Sequence, residues 1–327
     1  VPPGHAMNIA AIFIRRPVLA IVVNLVIIIA GLQAYRSLTT RQYPRSDNAS
    51  VSISTVYVGA SAELVRGFVT TPLEQAIAAA RAGKHVFCDK PMATSAVDAE
   101  RIVRECEKAG VTLGVNFHNR QMPCFIETRR VVQSGEIGKV LMVQLEASAG
   151  VGAASVAATW RQDPAQAGLG TSMNVGTHVY DILRFILGSE IVQVSAMFDT
   201  APHVMETTSL TTFRFANGAL AQVNVNQSTP NPHNDFVIYG SKGRITGRGL
   251  TRSREGGEMH VHLNDGTTRS QKYPAINAHE ACVVDFSKAL LEGQVPAATG
   301  FDGLRSVQLT DAMGKSAWEG VHVRLAG

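Results

Sequence analysis

The sequence predicts an α/β plus α+β chain: a truncated Rossmann-like parallel-sheet remnant, then an antiparallel-sheet C-terminal domain, behind one N-terminal transmembrane helix. Three observations carry this. The apolar run PVLAIVVNLVIIIAGL fills residues 17–32. A strand–helix–strand order follows between Lys84 and Val115. From Val140 onward, short alternating segments separated by turn residues replace that order. A chain of 327 residues is long enough for two domains with real cores. A net charge of +4, with 17% charged residues and no basic run interleaved with aromatics, excludes a nucleic-acid binder. Cys88, Cys106, Cys124 and Cys282 show no CxxC spacing, so they read as buried free thiols rather than zinc ligands or a disulfide framework.

Taken in order, the apolar run extends back through Ala10 to Ile14 and is interrupted by Arg15 and Arg16. It reads as a membrane span over residues 10–32, with a signal peptide or a buried core helix as the alternatives. Ala49–Val58 alternates as a strand, and Ser61 is placed to cap a helix after Gly59. Lys84–Cys88 is a short buried strand. Thr94–Ala109 is a helix: Ser95 and Asp98 have capping-box spacing, and Ala99, Ile102, Val103 and Cys106 repeat at helical intervals. Val111–Val115 is the next strand, giving a βαβ unit. Further strands are expected at 140–147, 192–198, 207–215, 219–226 and 235–239, with Asn217-Gly218 as a hairpin turn. Helices are expected at 172–187, 278–291 and 302–319.

Two places can carry chemistry. Lys90 stands just past a strand end, where open α/β sheets bind ligands. Asn174, His178 and Asp181 are spaced i, i+4 and i+7, so a regular α-helix puts them on one face. Histidine is the side chain suited to acid–base work near neutral pH. On pattern alone, a solvated lysine and a structural histidine are the plainer readings. On a strand, His260 and His262 would point the same way and could share a metal; no third ligand is evident beside them except Glu258 and Asp265, and no metal is expected.

Two resemblances change this reading. Residues 7–80, MNIAAIFIRRPVLAIVVNLVIIIAGLQAYRSLTTRQYPRSDNASVSISTVYVGASAELVRGFVTTPLEQAIAAA, resemble the N-terminus of resistance–nodulation–division (RND) multidrug efflux pumps. AAARAGKHVFCDKPMATS, VNFHNRQMPCFIETRRVVQSGEIGKV and GLGTSMNVGTHVYDILRFILG together resemble the Gfo/Idh/MocA oxidoreductases. The resulting domain expectation is 1–80 as a pump-like membrane segment, 81–137 as the remnant of a dinucleotide-binding domain, and 138–327 as the C-terminal α+β domain. Glu74–Ala80 suits both parents as an amphipathic helix, so two coding sequences can join there in frame, by natural fusion or in sequence assembly.

The second resemblance implies an NAD- or NADP-dependent oxidoreductase moving hydride on a sugar, inositol or related polyol. By that resemblance Lys90 and His178 are catalytic, with Asn174 standing where the family has an aspartate and Asp89 where it has a glutamate. Lys90, Pro91 and Asn116 are the implied cofactor contacts, and His118, Arg120 and Asp181 the implied substrate contacts. The family's glycine-rich phosphate turn is not visible before Lys84, so nucleotide binding is expected to be weak or absent. The chain as written is expected at the inner membrane, whereas the oxidoreductase parent is cytoplasmic, and self-association through the C-terminal sheet is a further expectation. Two non-catalytic alternatives stay open: a membrane-anchored scaffold and a transport-associated fragment.

Overall fold

The computed structural model describes residues 16–37, 71–148, 167–230, 232–249 and 256–325. They fall into two units, one within 1–49 and one within 50–327.

The first unit contributes helix α1, Pro17–Ser37. It is apolar on every side, and Val18, Ile21, Val26, Ile27 and Leu32 are exposed. The bilayer span expected over residues 10–32 is not supported here. Residues 10–15 lie outside the described residues. Among the described residues, no helix is long and apolar enough to cross a membrane. The strand expected at Ala49–Val58 and the cap at Ser61 also lie outside them.

The second unit opens with α2 (Thr71–Arg81), β1 (Val86–Cys88), α3 (Ala96–Lys108) and β2 (Leu113–Val115). β1 and β2 pair in parallel. The start of α3 is as the sequence indicates: the Ser95 side chain accepts from the Asp98 N–H, satisfying a donor the first helical turn leaves open. Its Ala99, Ile102 and Cys106 are buried against Leu73 and Ile77 of α2 and against Val115. The four cysteines are free thiols, and burial pushes Cys88 up to about 12 and Cys106 up to about 11.

A short 3₁₀ turn, His118–Gln121, leads into α4 (Pro123–Gln133), with proline at its start. The remaining strands are β3 (Val140–Ser148), β4 (Ile191–Phe198), β5 (Thr208–Phe215), β6 (Leu220–Asn226), β7 (Phe236–Gly240), β8 (Gly243–Arg248), β9 (Gly257–Leu263), β10 (Thr268–Tyr273) and β11 (Val323–Arg324). They form one nine-stranded sheet in the order β10-β9-β8-β7-β3-β6-β5-β4-β11. β3–β6 is its parallel pair; the other pairings are antiparallel, so the sheet is mixed rather than wholly antiparallel. Gly218 turns the β5–β6 hairpin at a φ of +90°, which a side chain would disfavour.

One face of this sheet is covered by α4, by α5 (Thr177–Leu187) and by α7 (Gly300–Glu319); α6 (Ala278–Glu292) also packs on the 3₁₀ turn. Phe125 and Val131 of α4 share a core with Ile182, Ile186, Leu309 and Met313. Val307 of α7 belongs instead to the core around α2 and α3. Residues on both sides of position 137 therefore share cores, and an isolated 138–327 segment would lose the packing of α4.

Candidate active site

Lys90 follows β1 directly, on a cis peptide to Pro91. Its backbone N–H donates to Asp89 Oδ1 at 2.9 Å, and its Nζ donates to the main-chain oxygen of Asn174. Asn174 is thus brought to Lys90 through its carbonyl, a contact that is indifferent to Asn or Asp at this position. The segment that presents it is not the regular α-helix expected. Ser172–Gly176 is π-helical and runs into α5. A π turn changes the phase of a helix, so the shared face of Asn174, His178 and Asp181 is broken.

That turn is held from outside. The Glu206 carboxylate, 1% exposed, accepts from the N–H groups of Gly170 and Ser172 at 2.7 Å each. Burial raises the Glu206 pKa against these bonds. A Cβ on Gly170 would lie 2.0 Å from the Glu206 carbonyl oxygen, which explains the second glycine of Gly168-Leu169-Gly170. Gly170→Ala is expected to lower stability by roughly 1–3 kcal/mol through overpacking; an unchanged urea midpoint would contradict this placement.

His178 enters the site from the first turn of α5. Its Nδ1 is buried with no hydrogen-bond partner, so no Asn174 amide orients it there. His118 is 8% exposed, and its ring meets His178 edge-on at 4.4 Å between centroids and His279 of α6 at 4.0 Å. Burial, then His279, then Lys90 depress His118 to about 3. Burial, then Lys90 and the other two histidines, hold His178 well below its ordinary value. Both imidazoles are therefore neutral at physiological pH.

The folded value of His118 lies below the unfolded 6.5, so its contribution to stability is complete above pH 6.5 and falls as the pH drops toward about 3. The loss is about 1.4 kcal/mol per pH unit. Urea unfolding at pH 5.5 should show this deficit relative to pH 7.5, and His118→Phe should reduce it.

Asn116 completes the cluster. Its backbone N–H donates to Cys88 O at 2.8 Å, tying it to the end of β1. Its Nδ2 donates to Asp89 Oδ1 at 3.3 Å and lies 3.2 Å from His279 Nδ1. Lys90, Asn116, His118 and His178 are thus brought together, with His279 as a member that sequence reasoning missed. The signal was absent because His279 is remote in the chain and approaches only through the packing of α6 on the 3₁₀ turn.

Arg120 and Asp181 differ from expectation. They are 8% and 1% exposed and bind each other at 2.6 and 2.8 Å. Asp302 also binds Arg120, and Arg184 connects Asp302 to Glu190. Burial works against the Arg120 charge, and the two aspartates more than offset it. With their polar atoms engaged in this network, a substrate-contact role for the pair does not follow from the structure. His260 and His262 do share a strand face, 6.3 Å apart between ring centroids, and among the described residues no metal-binding cluster is found.

The donor set suits the reacting end of a nicotinamide cofactor with a hydroxylated substrate. Asn116 Oδ1, His118 Nδ1 and His178 Nδ1 are all buried without partners, leaving hydrogen-bonding capacity beside the Lys90 cation. The phosphate end has no such match. Among the described residues, β1 runs into Asp89-Lys90-Pro91 and β2 into Asn116-Phe117, and neither opens a glycine-rich turn onto a helix.

Two families of known proteins match the chain. Residues 125–246 match the GFO/IDH/MocA C-terminal domain, and residues 9–90 match the AcrB/AcrD/AcrF family. The early segment is 49% identical over 74 residues to an uncharacterized transporter of Haemophilus influenzae, covering 23% of this chain and 7% of that protein. The chain is also similar to 1,5-anhydro-D-fructose reductase of Ensifer adhaerens, 30% identical over 271 residues, covering 82% of this chain and 78% of the reductase, a span too long to lie wholly after residue 80. A solved levoglucosan dehydrogenase, in complex with NADH and levoglucosan, superposes with a TM-score of 0.69 at 25% identity, covering 78% of this chain and 77% of that one. The fold is thus that of Rossmann-like oxidoreductases, and the WlbA dehydrogenase of Bordetella pertussis, 26% identical, is another such structure solved with NADH. By this similarity over most of its length, the chain belongs to the Gfo/Idh/MocA family of oxidoreductases.

Proposed function

We propose that residues 81–327 act as an NAD(P)-dependent oxidoreductase on a sugar or related polyol, carried behind a pump-derived segment joined near residue 80. The observation that supports this reading best is the convergence of Lys90 with three buried, unpartnered polar atoms on Asn116, His118 and His178. When bound, NAD(P) supplies the hydride acceptor or donor. Lys90 then polarises the reacting oxygen and stabilises negative charge on it. His178, kept neutral by burial and by the Lys90 charge, takes the hydroxyl proton in the oxidative direction and returns it in the reductive one. Asn116 and His118 orient the partners, and Pro91 forms the wall beside Lys90. Arg120 and Asp181 act from outside the site, by fixing the 3₁₀ turn that carries His118 against α5.

Nucleotide affinity is the discriminating measurement. A dissociation constant of 1 μM corresponds to about 8 kcal/mol, and much of such affinity comes from a phosphate turn that the described residues lack. Calorimetric titration with NADH and NADPH is expected to give weak binding, above about 10 μM (roughly 7 kcal/mol). Tighter, saturable binding would place a working phosphate site in residues outside those described. No detectable binding, with no turnover on a panel of aldoses and inositols, would remove the oxidoreductase reading for this chain.

Helix α1 supports a second element of the proposal. A helix apolar on all sides requires an apolar environment, so membrane attachment through residues 10–32 accounts for it. If the segment inserts as a pump N-terminus does, Gly327 lies across the membrane from Val1. Alkaline phosphatase fused at Gly327 should then be active, whereas fluorescence of green fluorescent protein there argues against export. Sequencing single long reads across the codons for Glu74–Gly83 tests the junction itself.

A further inference from the structure

The third histidine of the cluster has no part in the mechanism above, yet two independent contacts fix its place. The Asn116 side-chain nitrogen carries two hydrogens and no lone pair to accept with. One hydrogen points to the Asp89 carboxylate, an acceptor only, and this sets which way round the amide lies. The other faces His279 Nδ1 at 3.2 Å. Nδ1 must then be the accepting nitrogen, and the proton of the His279 ring sits on Nε2. The same ring lies against His118, tilted by 37°, and His118 in turn meets His178 edge-on. Asn277 caps the helix that carries it by accepting from the Glu280 N–H, so His279 is held on an ordered first turn.

We propose that His279 is a positioning residue of the reacting site. Accepting from Asn116, it keeps the buried Oδ1 of that amide turned toward a donor on the ligand, an amide N–H or a hydroxyl. Packed against His118, it holds that ring beside His178. The proposal rests on the oxidoreductase reading of this site, but the arrangement itself is testable without turnover.

Nitrogen-15 spectra of histidine-labelled full-length chain are expected to show His279 carrying its proton on Nε2, with Nδ1 accepting a hydrogen bond. Asn116→Ala should shift that Nδ1 resonance while leaving the other histidine tautomers in place. A His279 protonated on Nδ1, or one unmoved by Asn116→Ala, overturns the proposal whatever the activity. In turnover, His279→Ala should lower kcat/KM roughly tenfold or more, the scale of misplacing a reacting partner. His279→Asn keeps an acceptor for Asn116 and should recover most of that loss, whereas His279→Phe keeps only the ring contact and should not. Equal activity of the Asn and Phe variants contradicts the hydrogen-bonding role. A wild-type chain that is inactive with NAD(P) and polyols, yet shows the expected tautomer and Asn116 shift, dismisses the oxidoreductase reading and leaves the positioning arrangement standing.

Discussion

Replacing Lys90 with alanine is expected to slow turnover roughly 10²-fold or more, the usual scale for a group that polarises or moves a proton in the transition state. The same change should raise the pKa values of His118 and His178, because the Lys90 charge contributes to holding both imidazoles neutral. The second effect is read by histidine NMR and needs neither substrate nor cofactor. Unchanged turnover would remove Lys90 from the mechanism. Unmoved histidine titrations would instead show that burial alone keeps the rings neutral. The contact between Lys90 Nζ and the Asn174 carbonyl makes a further distinction. Asn174→Asp alters a side chain but not this bond, so its effect should be small beside that of Lys90→Ala.

The largest expected stability effect lies just behind the site. Arg120→Met leaves Asp181, 1% exposed, as a buried carboxylate without its bidentate partner. Breaking a buried pair from one side typically costs about 3–5 kcal/mol. Denaturant unfolding of the full chain should show a loss of that order. The double variant Arg120→Met with Asp181→Leu removes both charges together and should recover part of it. A single variant as stable as wild type would mean that Arg184 or solvent compensates Asp181 fully. Because Asp302 binds Arg120 and Arg184 and also accepts from the Thr299 N–H at 2.9 Å, the start of α7 should loosen with the same substitution.

What was legible in the sequence was local. α3 could be read because Ser95 and Asp98 announce its start and its apolar residues recur on one face. The Asn217-Gly218 hairpin was readable because only a few residues can adopt a positive φ at that turn. The strands β8 and β10 were not assigned: GRITGR carries two arginines and two glycines, TRSQKY is mostly exposed, and neither has the apolar alternation of a half-buried strand. The π turn at Ser172–Gly176 was invisible for another reason. It is imposed by Glu206, from a loop between two later strands, and no residue inside the turn encodes it. The site divided in the same way. Lys90 and His178 stood out through motif and chemistry. Arg120 came from the family resemblance and Asp181 from its helical spacing, but their being partners to each other depended on the fold. His279 had no local signature at all.

The position of β3 has a consequence for how the protein is made. Its two neighbours in the sheet, β6 and β7, are both encoded after it. Translation from Ser148 to Asn226 takes roughly 4–16 s at about 5–20 residues per second. Through that interval the nascent chain displays a strand with both edges open and with Val143, Leu145 and Ala147, all destined for the core, facing water. The β4–β5–β6 meander can close early on contacts between neighbours in the chain, but β3 must wait for it and then accept β7 on its other side. The yield of folded protein in a cell should therefore depend on holdase chaperones during synthesis more strongly than its final stability would suggest.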